Sequence, residues 1–217
     1  MTDFSAARRH MVDGQVRPND VTDLRVISAM LEVPRERFVP PAASALAYLD
    51  LDLPVGEGAS RRLLKPMVLA KLIDAANLAA SDRVLTVGCA TGYAAAVIAH
   101  IAGEVVALEQ DAGLAKTAQA ALASLPNVRV VSGPLVDGWR QAAPYDVILL
   151  EGATEVEPQA FCAQLKDGGR LLCILGASPG AKAMLYRRSG SELGGRAIFD
   201  AAAAVLPGFV KPPVFAF

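Results

Sequence analysis

The sequence predicts an α/β fold: a doubly wound, mostly parallel seven-stranded sheet with an antiparallel C-terminal edge and an N-terminal helical cap. Three observations predict it. From Val84 onward, short β-branched runs alternate with helical patterns, the order that builds a parallel sheet from βαβ units. The runs are apolar throughout rather than alternating, as strands covered on both faces require. The tail holds two strand-like runs around a Gly/Ser-rich turn, which makes an antiparallel hairpin.

The elements follow in order. Asp20 to Leu31 has helical spacing in Val21, Leu24, Ile27 and Leu31, and Pro34 stops it. The segment from Val33 to Pro66 is punctuated by proline and glycine but too apolar for a linker, so it reads as a structured cap on the sheet. Pro66 suits the first turn of a helix over Met67 to Asn77. Strands are expected at Val84–Val87, Val105–Leu108, Val128–Val131, Val147–Leu150 and Arg170–Leu175. Helices are expected at Ala94–Ile101, Leu114–Leu125 and near Pro158–Leu165. The closing hairpin pairs Ala183–Arg187 with Ala197–Ala203 across Ser189 to Gly195.

The first crossover carries the functional signal. Val84–Val87 runs into a turn bounded by Gly88 and Gly92, and the next strand ends on Glu109. A turn of small residues lets backbone N–H groups approach a ligand, and the helix that follows favours electron-rich groups at its N-terminus. An acid about 20 positions past the first glycine is placed to accept hydrogen bonds from a ribose diol. These residues predict a nucleoside-containing cofactor.

Composition narrows the partners. The 217 residues carry a net charge of −1, with 53% hydrophobic and 20% charged residues. One globular domain over 1–217 is expected, with the cap and acceptor segment in 1–66 and the cofactor-binding core in 67–217. The charge balance gives no electrostatic case for nucleic acid or an anionic membrane. Arg61, Arg62 and Lys65 form the one dense basic spot, and a solvated loop is its plainest reading. Cys89, Cys162 and Cys173 lack metal-ligand spacing and sit in or beside apolar runs, so buried, reduced thiols are expected. There is no signal-peptide core and no apolar run of membrane-spanning length, which predicts a soluble cytoplasmic protein. His10 and His100 are the only histidines, and a satisfied, non-catalytic role is expected for both. No serine-hydrolase elbow, P-loop or kinase signature occurs. The dehydrogenase fingerprint needs a central glycine, whereas this loop reads GCATG.

Five segments carry a family resemblance: MVDGQVRPNDVTDLRVISAMLEVPRERFVPP, LAYLDLDLPVGEG, the turn Gly88–Tyr93, YDVILLEGATEVEP and LKDGGRLL. With them the chain resembles the class I S-adenosylmethionine-dependent methyltransferases, and among these the protein-L-isoaspartate O-methyltransferases. The resemblance covers nearly the whole chain, and its most specific piece is a helix followed by V-P-R-x-x-F-V-P. It implies S-adenosylmethionine as cofactor and an isoaspartyl protein or peptide as acceptor, for repair of damaged proteins. It places cofactor contacts on Gly88, Cys89, Ala90, Thr91, Gly92, Tyr93 and Glu109. It assigns no catalytic residue: a carboxylate acceptor is already a nucleophile, and in-line displacement at a sulfonium needs alignment and exclusion of water.

The departures from the family pattern are specific. Thr86 stands where the family has the acid that orients the methionyl amino group, and Ala90 replaces the middle glycine of the loop. Gly133-Pro134 replaces Gly-Asp, so an adenine amino group loses its carboxylate. Before Pro66 the family carries Gly-x-Thr-x-Ser-x-Pro, whose hydroxyls help hold the isoaspartyl carboxylate. Here Leu64 and Arg62 hold the Ser and Thr positions, and Ser60 lies nearby. Weakened isoaspartyl activity is therefore expected. A different acceptor, or a homologue that binds the cofactor without catalysis, stays open on the sequence alone.

Overall fold

The computed structural model describes residues 3–59, 61–176 and 179–212. Ser60 lies outside the described residues. The N-terminal cap begins with α1 (Phe4–Met11), whose first amides are capped by Asp3. A π-helical turn (Val12–Val16) and a 3₁₀ turn (Arg17–Asn19) lead to α2 (Leu24–Glu32). The helix expected from Asp20 starts later because Asp23 caps it, and the amides of Thr22 and Asp23 turn away to Asp74. Val21 is buried nonetheless. Two 3₁₀ segments (Arg35–Phe38 and Pro41–Leu46) carry the chain to an antiparallel pair of three-residue strands, β1 (Leu53–Val55) and β2 (Arg61–Leu63). This hairpin was not expected: three residues give too little alternation to read. α3 (Pro66–Ala76) has Pro66 in its first turn and ends at Asn77, which adopts the left-handed conformation.

The α/β core continues through β3 (Arg83–Val87), α4 (Tyr93–Ala99), β4 (Glu104–Glu109), α5 (Ala112–Leu122), β5 (Val128–Ser132), β6 (Tyr145–Thr154), β7 (Leu165–Leu175), β8 (Lys182–Ser189) and β9 (Glu192–Asp200). The seven strands lie in the order β5-β4-β3-β6-β7-β8-β9. Strands β5 to β7 run parallel, and β8 and β9 form the antiparallel edge. The chain moves outward from β3 to β5 and then returns to β6 on the other side of β3. The crevice at this switch lies at the carboxyl ends of β3 and β6, where open α/β sheets bind ligands.

Two elements of the α/β core also differ from expectation. The helix near Pro158–Leu165 is a 3₁₀ segment, Gln159–Gln164, because Leu165 already pairs with Tyr145 and leaves no length for an α-helix. The closing hairpin turns tightly at Gly190 and Ser191, with Ser189 opposite Glu192. Gly194 and Gly195 are therefore strand residues, and β9 ends at Asp200 instead of Ala203. Gly195 lies beneath the Tyr186 ring, where a Cβ would meet the ring at 2.4 Å.

The two faces of the sheet are covered differently. One buries Val84, Val105, Val147 and Leu149 against α2 to α5 and the cap. The other buries Leu85, Val106, Ile148 and Leu150 under Leu135, Phe161, Leu206 and Phe209, which come from 3₁₀ turns and the C-terminal segment. That segment is pinned along β6: the Ala153 amide donates to Ala204 and the Leu206 amide to Ala153. Leu206 thereby reaches the switch-point crevice.

Candidate functional site

The turn after β3 is built by its backbone. The amides of Gly88 and Cys89 both donate to Leu108 on β4, at 2.8 and 3.0 Å, and the Gly92 amide donates to Cys89 at 2.7 Å. Gly88 has φ +80° and Ala90 φ +52°. Ala90, at the family's middle-glycine position, thus takes the left-handed conformation that alanine disfavours. It is held there by Glu109, whose Oε2 accepts the Ala90 amide at 2.8 Å.

Glu109 is fully buried at the tip of β4. Its Oε1 also accepts the amides of Gln110 and Asp111, at 2.9 and 3.1 Å, and a contact at 3.2 Å from Nη1 of Arg61. Gly88 and Glu109 therefore face one crevice from adjacent strands. The expectation of a solvated basic loop fails at Arg61. Its side chain is 5% exposed, and Nη2 donates to the Gly88 carbonyl at 2.7 Å. Arg62 is exposed and reaches only the Asp52 carbonyl. Arg61 and Arg62 differ because β2 alternates, placing one side chain inward and the next outward.

Tyr93 opens α4 and is buried. The Phe38 ring meets it edge-on at 5.6 Å, and the Arg35 guanidinium lies over it at 4.6 Å. Arg35 is itself fully buried and donates to the carbonyls of Ala47 and Leu64, both at 2.8 Å. Thr91 donates its hydroxyl to the Phe38 carbonyl at 2.6 Å. These contacts explain V-P-R-x-x-F-V-P physically: its Arg and Phe clamp the loop from the cap side. The Tyr93 ring is enclosed in that clamp. Cys89 is buried, and burial pushes its thiol well above the usual range. His100 ends α4 with Nδ1 3.3 Å from Glu32, a satisfied surface position.

Glu151 is a site residue that the sequence reading passed over within YDVILLEGA. It lies on β6 one residue past Leu150, which pairs with Val87. Burial raises its carboxyl from 4.5 to about 8, with the Glu109 charge adding to the rise and the Arg61 guanidinium opposing it. Its Oε1 and the Thr86 hydroxyl are buried without hydrogen-bond partners. The one signal available was a charge closing an otherwise apolar buried strand.

The crevice thus presents the Gly88 carbonyl, the Glu109 carboxylate, Thr86 and Glu151. The Gly88 carbonyl and the Glu109 carboxylate fit a ligand with a cationic end and a diol, while Thr86 and Glu151, each with an unpartnered oxygen, can donate or accept. The space between them is filled by the protein itself. A Cβ on Gly88 would meet Arg61 Nη2 at 2.4 Å and Leu206 at 3.0 Å. The cavity that remains, bordered by Leu64, Arg61, Glu151 and Leu206, holds about 20 Å³, roughly the room of one water. A second, open groove of about 490 Å³ runs between the cap and α5, bordered by Phe38, Val55, Gly56, Thr91 and Asp111. Among the described residues no cluster of His, Cys, Asp and Glu is arranged to hold a metal, and no helix is long and apolar enough to cross a membrane.

Comparison with known proteins agrees with this geometry. Residues 6–199 match the family model described as Protein-L-isoaspartate(D-aspartate) O-methyltransferase. Protein-L-isoaspartate O-methyltransferase 1 of Rhodopseudomonas palustris (strain HaA2) is 42% identical over 186 residues, covering 85% of this chain and 75% of that protein. The Protein-L-isoaspartate O-methyltransferase of Methylorubrum extorquens (strain PA1) is 40% identical over 193 residues, covering 88% and 83%. A solved protein-L-isoaspartate O-methyltransferase superposes with a TM-score of 0.80 at 25% identity, over 93% of this chain and 66% of that one. A Plasmodium falciparum structure in complex with S-adenosyl-L-homocysteine shares the fold, with a TM-score of 0.76 at 15% identity over 95% and 99% of the two chains. With a family model matching most of its length and relatives at this identity, the chain belongs to the protein-L-isoaspartate(D-aspartate) O-methyltransferase family.

Proposed function

We propose that this chain is a cytoplasmic S-adenosylmethionine-dependent O-methyltransferase that esterifies the carboxylate of isoaspartyl residues in damaged proteins or peptides. One observation carries the reading: a buried carboxylate, Glu109, and the Gly88 carbonyl lie at the carboxyl ends of adjacent strands, close enough to share one guanidinium, in a chain of this family. When bound, the cofactor supplies an electrophilic methyl group on a sulfonium.

Each group of the crevice has a part in this reading. Glu109 accepts from the ribose diol while its backbone bonds hold it in place. The turn Gly88, Cys89, Ala90, Thr91 and Gly92 brings backbone close to the ligand, because Gly88 carries no side chain of its own. Tyr93, held by Phe38 and Arg35, fixes the start of α4 beneath the turn. The enclosure by Leu64 and Leu206 excludes water from the reacting carboxylate. No general base is needed, and none is assigned. The open groove beside Thr91 and Gly56 gives room for an extended acceptor peptide. Leu64 is buried at the position where the family presents a hydroxyl to the acceptor, which supports a weaker grip on isoaspartate.

Calorimetric titration with S-adenosylhomocysteine tests the cofactor half of the reading. The parent is expected to bind, and Gly88→Val to lose binding. Valine at φ +80° is strained, and its Cβ would stand 2.4 Å from Arg61 and within the ligand's space. Equal affinity in parent and variant would overturn the placement of the cofactor in this crevice.

A further inference from the structure

Among the described residues, Arg61 is the one side chain that touches both acceptors the cofactor would use. It reaches across the mouth from β2 to the Gly88 carbonyl and to Glu109, and it is the nearest group above Gly88. A buried guanidinium with this fork geometry matches a carboxylate well. The same small cavity is bordered by Leu64, which has no polar atom to offer an acceptor carboxylate. Arg61 therefore sits between two tasks: it blocks the cofactor's polar contacts, and it is the one buried cation at the position where the acceptor's charge arrives.

We propose that Arg61 determines acceptor specificity by exchanging partners: the cofactor displaces its guanidinium from Gly88 and Glu109, and the released guanidinium receives the acceptor carboxylate. The inference rests on the methyl-transfer reading above. It explains how a chain with Leu64 at the hydroxyl position still binds an anionic acceptor. It also imposes an order. Before the cofactor binds, Arg61 is paired with Glu109, and an incoming carboxylate meets a neutralised pair; afterwards the guanidinium is free. The other groups around it agree. Glu109, on β4, keeps three backbone donors when Arg61 leaves. Glu151, on β6, is held neutral by burial around pH 7, so it does not repel an acceptor carboxylate. Arg62 points outward and does not compete.

Arg61→Ala and Arg61→Lys test this with two readouts: S-adenosylhomocysteine affinity by calorimetry, and KM and kcat on an isoaspartyl peptide. Arg61→Ala removes an internal competitor, so the product is expected to bind about tenfold tighter. The same change removes the acceptor's receptor, so KM for the peptide is expected to rise about tenfold or more, with kcat less affected. Arg61→Lys keeps the charge without the fork, and its KM is expected between those of parent and alanine variant. A merely structural arginine would weaken both ligands together when removed. Product affinity that falls or stays level in Arg61→Ala overturns the displacement, and an unchanged peptide KM overturns the acceptor role. If Arg61→Ala does not fold, Arg61→Lys decides: a KM equal to the parent's overturns the proposal. A parent that binds no S-adenosylhomocysteine would instead overturn the methyl-transfer reading itself, and this inference with it.

Discussion

Single residues set the electrostatics of the crevice. Glu109 is bound by three amides and an arginine inside the protein, so it organises the loop as well as facing it. Glu109→Ala strands those donors and leaves the buried Arg61 charge with the Gly88 carbonyl but no carboxylate. The expected loss in unfolding free energy is about 3–5 kcal/mol, measurable from urea midpoints, and an unchanged midpoint would contradict this role. Glu151 gives a pH signature. Its folded-state value of about 8 lies above the ordinary 4.5, so the folded chain holds the proton more tightly than the unfolded chain. Its contribution is full below pH 4.5 and falls as pH rises to about 8, at up to about 1.4 kcal/mol per unit. Glu151→Gln removes this dependence. Its stability relative to the parent should climb with pH across that window and level off above it. Parallel stability curves for the two proteins from pH 5 to 9 would refute the assignment. Thr86 and Glu151 also recast the missing family acid: the carboxyl absent from β3 has a neighbour on β6 that the loop pattern alone does not reveal.

At the scale of elements, the hairpin β1–β2 and the start of α3 work together. Asp50 Oδ1 accepts the Met67 amide at 3.0 Å, and Asp52 Oδ1 accepts the Lys65 amide at 2.8 Å. These aspartates cap α3 from a distant stretch of chain and fix the position of the hairpin that carries Arg61. Asp50→Ala should cost about 1 kcal/mol, read as a drop in thermal midpoint. No drop would mean that Pro66 and the packing of α3 suffice. Elements whose signal is local were legible in the sequence. Val84–Val87, the turn and Glu109 announce themselves because buried parallel strands are apolar throughout and a glycine-bounded turn is rare between them. The hairpin was illegible because three-residue strands carry no period. The 3₁₀ segment at Gln159–Gln164 was misread as α-helix because apolar spacing over six residues does not separate the two. Arg61 was misread because its burial is decided by partners 27 and 48 residues away, beyond any local charge pattern.

At the scale of the molecule, sheet, cap and C-terminal segment converge on one crevice. The sheet supplies Gly88, Glu109 and Glu151 at the switch point, the cap clamps the turn through Arg35 and Phe38, and the tail lays Leu206 across Gly88 and Gly152. The V-P-R-x-x-F-V-P segment and the turn Gly88–Tyr93 are in contact, through Tyr93 and Thr91. Acceptor grip is a separate matter, since Leu64 and Arg62 stand at the positions of the family's hydroxyls. The most direct test of the account is transfer of a labelled methyl group from S-adenosylmethionine to an isoaspartyl peptide, beside the same peptide with ordinary aspartate. The account predicts a base-labile methyl ester on the isoaspartyl peptide alone, formed at a rate that rises in Leu64→Ser. A parent that forms no ester on the isoaspartyl peptide, or esterifies both peptides equally, would contradict it.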